Sequence, residues 1–189
     1  MKRIFAAVRI EPGGNFLKSF RSLRSGLSHE SIKWVEEHNI HITIKFLGET
    51  DERLIPRISE TLEMLSQNSP VLKFSLSGIG IFGSKYQPRV IWAGIEPPAL
   101  LARLMNETQK EFEKLGYGSD RQNLVPHLTL GRIKDLKDKL LFQKIINEYK
   151  QISSEPVLIN ECILYESILR REGPEYVILD RFPFGKSAV

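Results

Sequence analysis

The sequence predicts an α+β fold of two similar lobes with antiparallel-rich sheets, helices on the outer faces, and a pseudo-two-fold central groove carrying two His-x-Thr-x strands. Three observations predict it. Apolar residues alternate over short runs in the manner of strands, and they recur every three or four residues over longer runs in the manner of helices. The two halves then nearly rhyme, each having strands, a His-x-Thr-x strand and a helix directly after it. Identity outside the motif is low, so this is a repeat of pattern. A chain of 189 residues fits a single domain of two interleaved lobes over residues 1–189.

Taken in order, "RIFAAVRI" reads as a first strand, and "EPGG" turns the chain into "NFLKSFRSLRSG". There Phe16, Leu17, Phe20 and Leu23 fall at helical spacing. "SIKWVEEHN" leads into the first motif strand, "HITIKFLGET". The next helix, "TDERLIPRISETLEMLSQ", has Thr50 or Asp51 as its cap and Leu54, Ile58, Leu62 and Leu65 as its apolar stripe. Pro56 belongs to its first turns, where a missing N–H costs least. Strands follow at "VLKFSLSGIGIF" and "RVIWAGI". A helix in "PPALLARLMNETQKEFEKLG" opens on two prolines and stops at Gly116. The second motif strand, "LVPHLTLGRI", and the helix "KDKLLFQKIINEYK" come next, and the strands "PVLINECILYESIL" and "EYVILDRF" close the chain.

Composition narrows the function classes. With 41% hydrophobic and 26% charged residues the chain reads as a soluble globular protein. No run nears the roughly 18 apolar residues that cross a bilayer. The start "MKRIFAAVRIEPGG" lacks the apolar core and cleavage site of a secretory signal, so the expected location is the cytoplasm. The single cysteine, Cys162, rules out an internal disulfide and sits in an alternating strand, where a small packed residue is expected rather than a nucleophile. Four histidines and one cysteine, with no H-x-x-x-H, make a poor metal-ligand set. A net charge of +4 permits a polyanionic partner without demanding one.

The chemistry concentrates in the two motifs. Side chains at i and i+2 of a strand share a face. His41 and Thr43 therefore face one way and Ile42, Ile44 and Phe46 the other; His127 and Thr129 likewise oppose Leu128 and Leu130. Imidazole beside a hydroxyl suits a phosphate, since His exchanges protons and Thr hydrogen-bonds a phosphoryl oxygen. Two such strands face to face would flank a phosphodiester, one histidine activating water and the other protonating the departing oxygen. Lys45 shares the parity of His41 and Thr43, so an undistorted strand aims it along the site. Arg132 has the opposite parity to His127 and reaches the site only if the strand bends near Gly131. Both are candidate phosphate contacts, with ordinary solvated surface as the other reading of each. Tyr86 and Trp92 are expected to pack, with base stacking as the other use of such rings, and His29 and His38 to lie on the surface.

The pair "HITIKFLGE" and "PHLTLGR", in this order and at this separation, resembles the paired signatures of the 2H phosphoesterase superfamily, and within it the RNA 2′,3′-cyclic phosphodiesterases once called 2′-5′ RNA ligases. The likeness covers almost the whole chain, from "RIFAAVRIEP" through "RVIWAGI" to "LYESILRREGPEYVILDRFPF". Just before the second motif the sequence departs from its relatives. Leu124 stands where they often carry an aromatic residue, and Arg121 is alone where they tend to have more basic residues.

The resemblance implies that His41 is the proton donor and His127 the proton acceptor, with Thr43 and Thr129 holding the phosphoryl oxygens; the motif residues themselves assign neither role. It implies a 2′-phosphate product, no cofactor and no metal. The partner is an RNA with a 2′,3′-cyclic phosphate end, tRNA-derived ends included, acted on by a monomer. The same residues also serve 2′-5′ ligation by the reverse reaction. A small cyclic nucleotide as substrate and a catalytically silent RNA- or nucleotide-binding module are the further readings.

Overall fold

In the computed structural model, which describes residues 1–84, 86–119, 125–171 and 173–185, the strands form two antiparallel sheets. The first sheet has the order β3-β1-β8-β9, from strands Lys2–Arg9 (β1), His41–Thr50 (β3), Glu161–Leu169 (β8) and Pro174–Pro183 (β9). The second has the order β2-β6-β5-β4-β7. Its strands are Ser31–Trp34 (β2), Leu72–Gly83 (β4), Pro88–Glu96 (β5), Leu128–Asp135 (β6) and Val157–Ile159 (β7). Each sheet draws strands from both halves of the chain and carries one motif strand.

The helices are Gly14–Gly26 (α1), Ile55–Gln67 (α2), Ala99–Lys114 (α3) and Lys139–Glu148 (α4). Helices α2 and α3 back the first sheet, while α4 packs on β4 and against α1, whose Phe20 meets Trp34 edge-on. Helices and sheets thus close on an apolar layer that includes Ile4, Ala6 and Val8 of β1, Phe16 and Phe20 of α1, and Leu128 and Leu130 of β6. The opposite face of β1 contributes Phe5 and Ala7 to a small separate cluster with Ile163 and Tyr165. β1 is therefore covered on both sides, which is why its sequence runs apolar without alternating.

Local chemistry sets the ends of the elements. Asp51 accepts from the Arg53 N–H and caps a 3-10 turn at Glu52–Leu54 that leads into α2, where Pro56 occupies the first turn. Asp138 caps α4 through the Leu141 N–H, and Gly116, at φ +88°, follows the end of α3. Two segments differ from the sequence reading. "SIKWVEEHN" holds the edge strand β2 and a 3-10 turn at Glu37–Asn39, and "PVLINECILYESIL" is two strands in different sheets, broken at Asn160. At that crossover the Asn160 carbonyl accepts from the Phe184 N–H, so the break leaves no orphaned acceptor. No helix among the described residues is long and apolar enough to cross a membrane.

Candidate active site

The two motif histidines are held in the same way. His41 opens β3, and its Nδ1 lies 2.6 Å from the carbonyl oxygen of Asn39. His127 immediately precedes β6, and its Nδ1 lies 2.8 Å from the carbonyl oxygen of Val125. A carbonyl only accepts, so each Nδ1 carries a hydrogen and each Nε2 becomes the nitrogen that can take or give a proton. Aromatic rings fix both imidazoles. His41 sits 5.1 Å from the Phe5 ring and edge-on to Tyr176 at 5.2 Å, and His127 is edge-on to Phe82 at 4.8 Å.

Burial pushes the pKa of His41 and of His127 below the ordinary histidine value. The carbonyl bond at Nδ1 opposes that shift in each, and the Arg132 guanidinium adds to it in each. Both imidazoles are thus biased toward the neutral form, and one cation acts on both. Arg132 also favours ionisation of the Tyr176 phenol, although burial raises that group's pKa overall. A single arginine felt by His41, His127 and Tyr176 lies where the two sheets face each other. Strands β3 and β6, which belong to different sheets, approach within 8 Å between Cα atoms.

The one-residue bulge that directly follows the threonine in each motif strand decides which side chains reach this groove. In the β1–β3 ladder Ala7 opposes Thr43 and Ala6 opposes Lys45, so Ile44 is the extra residue. In the β5–β6 ladder Trp92 opposes Thr129 and Ile91 opposes Gly131, so Leu130 is the extra residue. The Leu130 carbonyl accepts from the Val35 N–H at 2.9 Å. Each bulge reverses the alternation beyond the threonine. His41, Thr43 and Phe46 then share the groove face of β3, and His127, Thr129 and Arg132 that of β6.

This corrects the sequence-based parity at two positions. Lys45 does not face the site: it is 2% exposed, with Nζ bound to Gln109 Oε1 of α3 at 2.9 Å and to the Gly118 carbonyl at 2.7 Å. Phe46, expected in the core, is 43% exposed on the groove side with the Arg3 guanidinium 5.0 Å above its ring. Arg132 does reach the groove through the bend at Leu130–Gly131. Gly131 is small for a reason, since a Cβ there would sit 3.0 Å from both Ile32 and Trp34.

Other residues fall as follows. Trp92 stacks on Phe82 at 5.0 Å and so backs the His127 side of the groove, whereas Tyr86 is 68% exposed. His29 and His38 are exposed. Cys162 is buried on the core side of β8 with its thiol pushed up to about 12, which makes it inert as a nucleophile. Among the described residues no group of three or more His, Cys, Asp or Glu side chains is placed to hold a metal ion. Leu124 and Arg121 lie outside the described residues. Sequence reasoning missed Phe5, Phe82, Tyr176 and Arg3, none of which carries a motif; only their place on strands beside the histidines picks them out.

The family model for LigT like Phosphoesterase matches residues 10–92 and 95–176. The RNA 2′,3′-cyclic phosphodiesterase of Thermotoga maritima is 37% identical over 146 residues, covering 77% of this chain and 76% of that protein. The RNA 2′,3′-cyclic phosphodiesterase of Archaeoglobus fulgidus is 33% identical over 175 residues, or 92% and 96% of the two chains. Among solved structures, TT0787 of Thermus thermophilus superposes with a TM-score of 0.78 at 22% identity, covering 97% and 98% of the two chains. Escherichia coli LigT complexed with 3′-AMP superposes with a TM-score of 0.71 at 20% identity, covering 98% and 99%. At those identities the solved structures establish the fold.

Proposed function

The chain belongs to the LigT-like phosphoesterase family, and we propose that it hydrolyses RNA 2′,3′-cyclic phosphodiester ends to 2′-phosphate ends, with His41 as proton donor and His127 as proton acceptor. The observation that carries this reading is the matched mounting of the two imidazoles. Each has Nδ1 tied to the carbonyl two residues earlier and Nε2 left for chemistry, and one arginine acts on both. The names of the curated relatives supply the substrate class.

In the proposed reaction neutral His127 takes a proton from water as the oxygen attacks phosphorus. The bond from phosphorus to the 3′ oxygen breaks, and protonated His41 delivers its proton to that oxygen. Positioned acid–base pairs of this kind contribute about 10²–10⁴-fold. Thr43 and Thr129 hydrogen-bond the phosphoryl oxygens, and the nearby positive charge of Arg132 offsets the charge that builds on them. The substrate phosphate is itself an anion, and its arrival opposes the effect of Arg132 on His41, favouring the protonated acid. These side chains supply proton transfer and charge stabilisation without a metal, and the two lobes act as one catalytic unit. A buried reduced thiol at Cys162 suits the cytoplasm.

The test is a short RNA with a 2′,3′-cyclic end, incubated with a 5′-hydroxyl RNA in EDTA, with product ends identified. A 2′-phosphate end is expected, and His41→Ala and His127→Ala should each lower turnover at least about 10²-fold while remaining folded. Near-normal turnover by either variant would end the two-histidine mechanism. A 3′-phosphate product would reverse the leaving group, and joined RNA would favour ligation.

A further inference from the structure

A second feature opens from the same corner of the groove. A cavity of about 510 Å³ runs outward from Arg132 and Tyr176, between the segment through β2 and Asn39 on one side and the β8–β9 hairpin at Pro174 on the other. Its size falls within the range of roughly 300–1,000 Å³ typical of small-molecule sites. Proton transfer at the two histidines makes no use of it.

The cavity's charges ask for an anion. Lys33 of the edge strand β2 lies directly opposite Arg132 of β6 in the ladder, and both line the cavity. Like charges directly opposite on one face of a sheet destabilise it. Among the described residues neither has an ion-pair partner. The carboxylates that also line the cavity are already engaged, Glu36 by Arg24 at 3.4 Å and Glu175 by Arg170 at 2.9 Å. Lys33 and Arg132 are thus the cations left to take a phosphate, and one bound between them would relieve their repulsion. Tyr176 and Trp34 give the same cavity aromatic edges for a base.

The wall is also tied to the catalytic apparatus. Asn39 holds His41 Nδ1 with its carbonyl, while its side-chain Nδ2 donates to the Pro174 carbonyl at 3.1 Å. Asn39 therefore both lines the cavity and anchors His41.

We propose that this cavity seats the nucleotide preceding the cyclic-phosphate end, with the phosphodiester that joins it to the terminal nucleotide held between Lys33 and Arg132. This rests on the reading of the groove as a cyclic phosphodiesterase site. It deepens that reading, because the enzyme then acts on RNA ends of two or more nucleotides in preference to cyclic mononucleotides.

The experiment compares two substrates and their uncleavable products, with Lys33→Ala as the variant. The substrates are 2′,3′-cyclic AMP and diadenosine monophosphate ending in a 2′,3′-cyclic phosphate. The binding probes are 2′-AMP and the same dinucleotide ending in a 2′-phosphate. The dinucleotide is expected to have the higher kcat/KM, and a plot of log affinity against log salt for its product should be steeper by about 0.7, one additional phosphate on a single strand. Lys33→Ala should reduce that extra slope and lower dinucleotide kcat/KM about fivefold, the scale of an exposed ion pair. Cyclic AMP, which does not extend to Lys33, should keep its value. Equal slopes, or a variant that treats both substrates alike, would overturn the subsite. Turnover of both substrates without preference would remove the subsite and leave the proposed reaction standing. Absence of turnover with a persisting dinucleotide binding preference would do the opposite.

Discussion

Replacing Lys45 with methionine separates the two places this side chain was assigned. Simple alternation aims it along the groove, but the structure buries it against α3. Its Nζ donates to Gln109 Oε1 at 2.9 Å and to the Gly118 carbonyl at 2.7 Å, and Gln109 in turn donates to Glu113 at 2.8 Å. Hydrogen bonds from a charged donor are worth about 1.5–3 kcal/mol each. Methionine fills much of the same space and avoids the cost of burying an ammonium, which offsets part of that sum. The residual cost is the unsatisfied acceptors, giving a destabilisation of about 3 kcal/mol. For a chain of this size that corresponds to a fall in Tm of roughly 6–12 °C. Thermal and urea unfolding measure it, and kcat/KM should stay near the wild-type value well below the midpoint. Unchanged stability with reduced turnover would refute the burial and return Lys45 to the groove.

The remaining predictions concern the groove. Because burial first and Arg132 second depress both histidine pKa values, both limbs of the kcat/KM profile should lie below the ordinary histidine value of about 6.5. Arg132→Gln removes a positive charge that disfavours protonation at both sites, so both limbs should move to higher pH; static limbs, or a move to lower pH, would deny that Arg132 acts on the pair. The limbs report the coupled pair rather than either histidine alone. Gly80→Ala should cost about 1–3 kcal/mol and lower turnover. The new Cβ would sit 2.4 Å from the Trp92 ring, which stacks on Phe82, which in turn braces His127. A variant with wild-type stability and rate would show that this stack does not support His127.

Much of this arrangement was written in local patterns. The apolar stripes gave the helices, Asp51 and Pro56 marked the approach to and first turn of α2, and the two His-x-Thr-x segments announced a site because a strand puts i and i+2 on one face. What local pattern does not record is pairing. Nothing in "HITIKF" says that Ile44 will be extra opposite Ala6 and Ala7, since a bulge is a property of two strands and belongs to neither sequence alone. Lys45 and Phe46 were misplaced by that one residue. The split of "PVLINECILYESIL" was hidden for the same cause: alternation continues through Asn160 while the pairing partner changes from β4 to β1 and β9. Phe5, Phe82 and Tyr176 looked like ordinary strand aromatics because their distinction is to face histidines contributed from elsewhere in the chain.

The two bulges also explain how a nearly symmetric groove can hold an asymmetric reaction. After each threonine the extra residue returns the chain to the groove face at the fifth position beyond the histidine, Phe46 in one strand and Arg132 in the other. The histidines, their carbonyl anchors and the threonines are equivalent across the pseudo-two-fold relation; these fifth positions are not. An aromatic ring capped by Arg3 stands on one side. On the other stands an exposed guanidinium that opens onto a second cavity. A phosphate bound between identical imidazoles has no reason to prefer one as acid until something orients its leaving oxygen. In the proposed subsite, Arg132 and the cavity beyond it supply that direction by holding the RNA on one side. In the proposed reaction the division of labour between His41 and His127 is therefore set by where the substrate lies, and the imidazoles themselves need not differ.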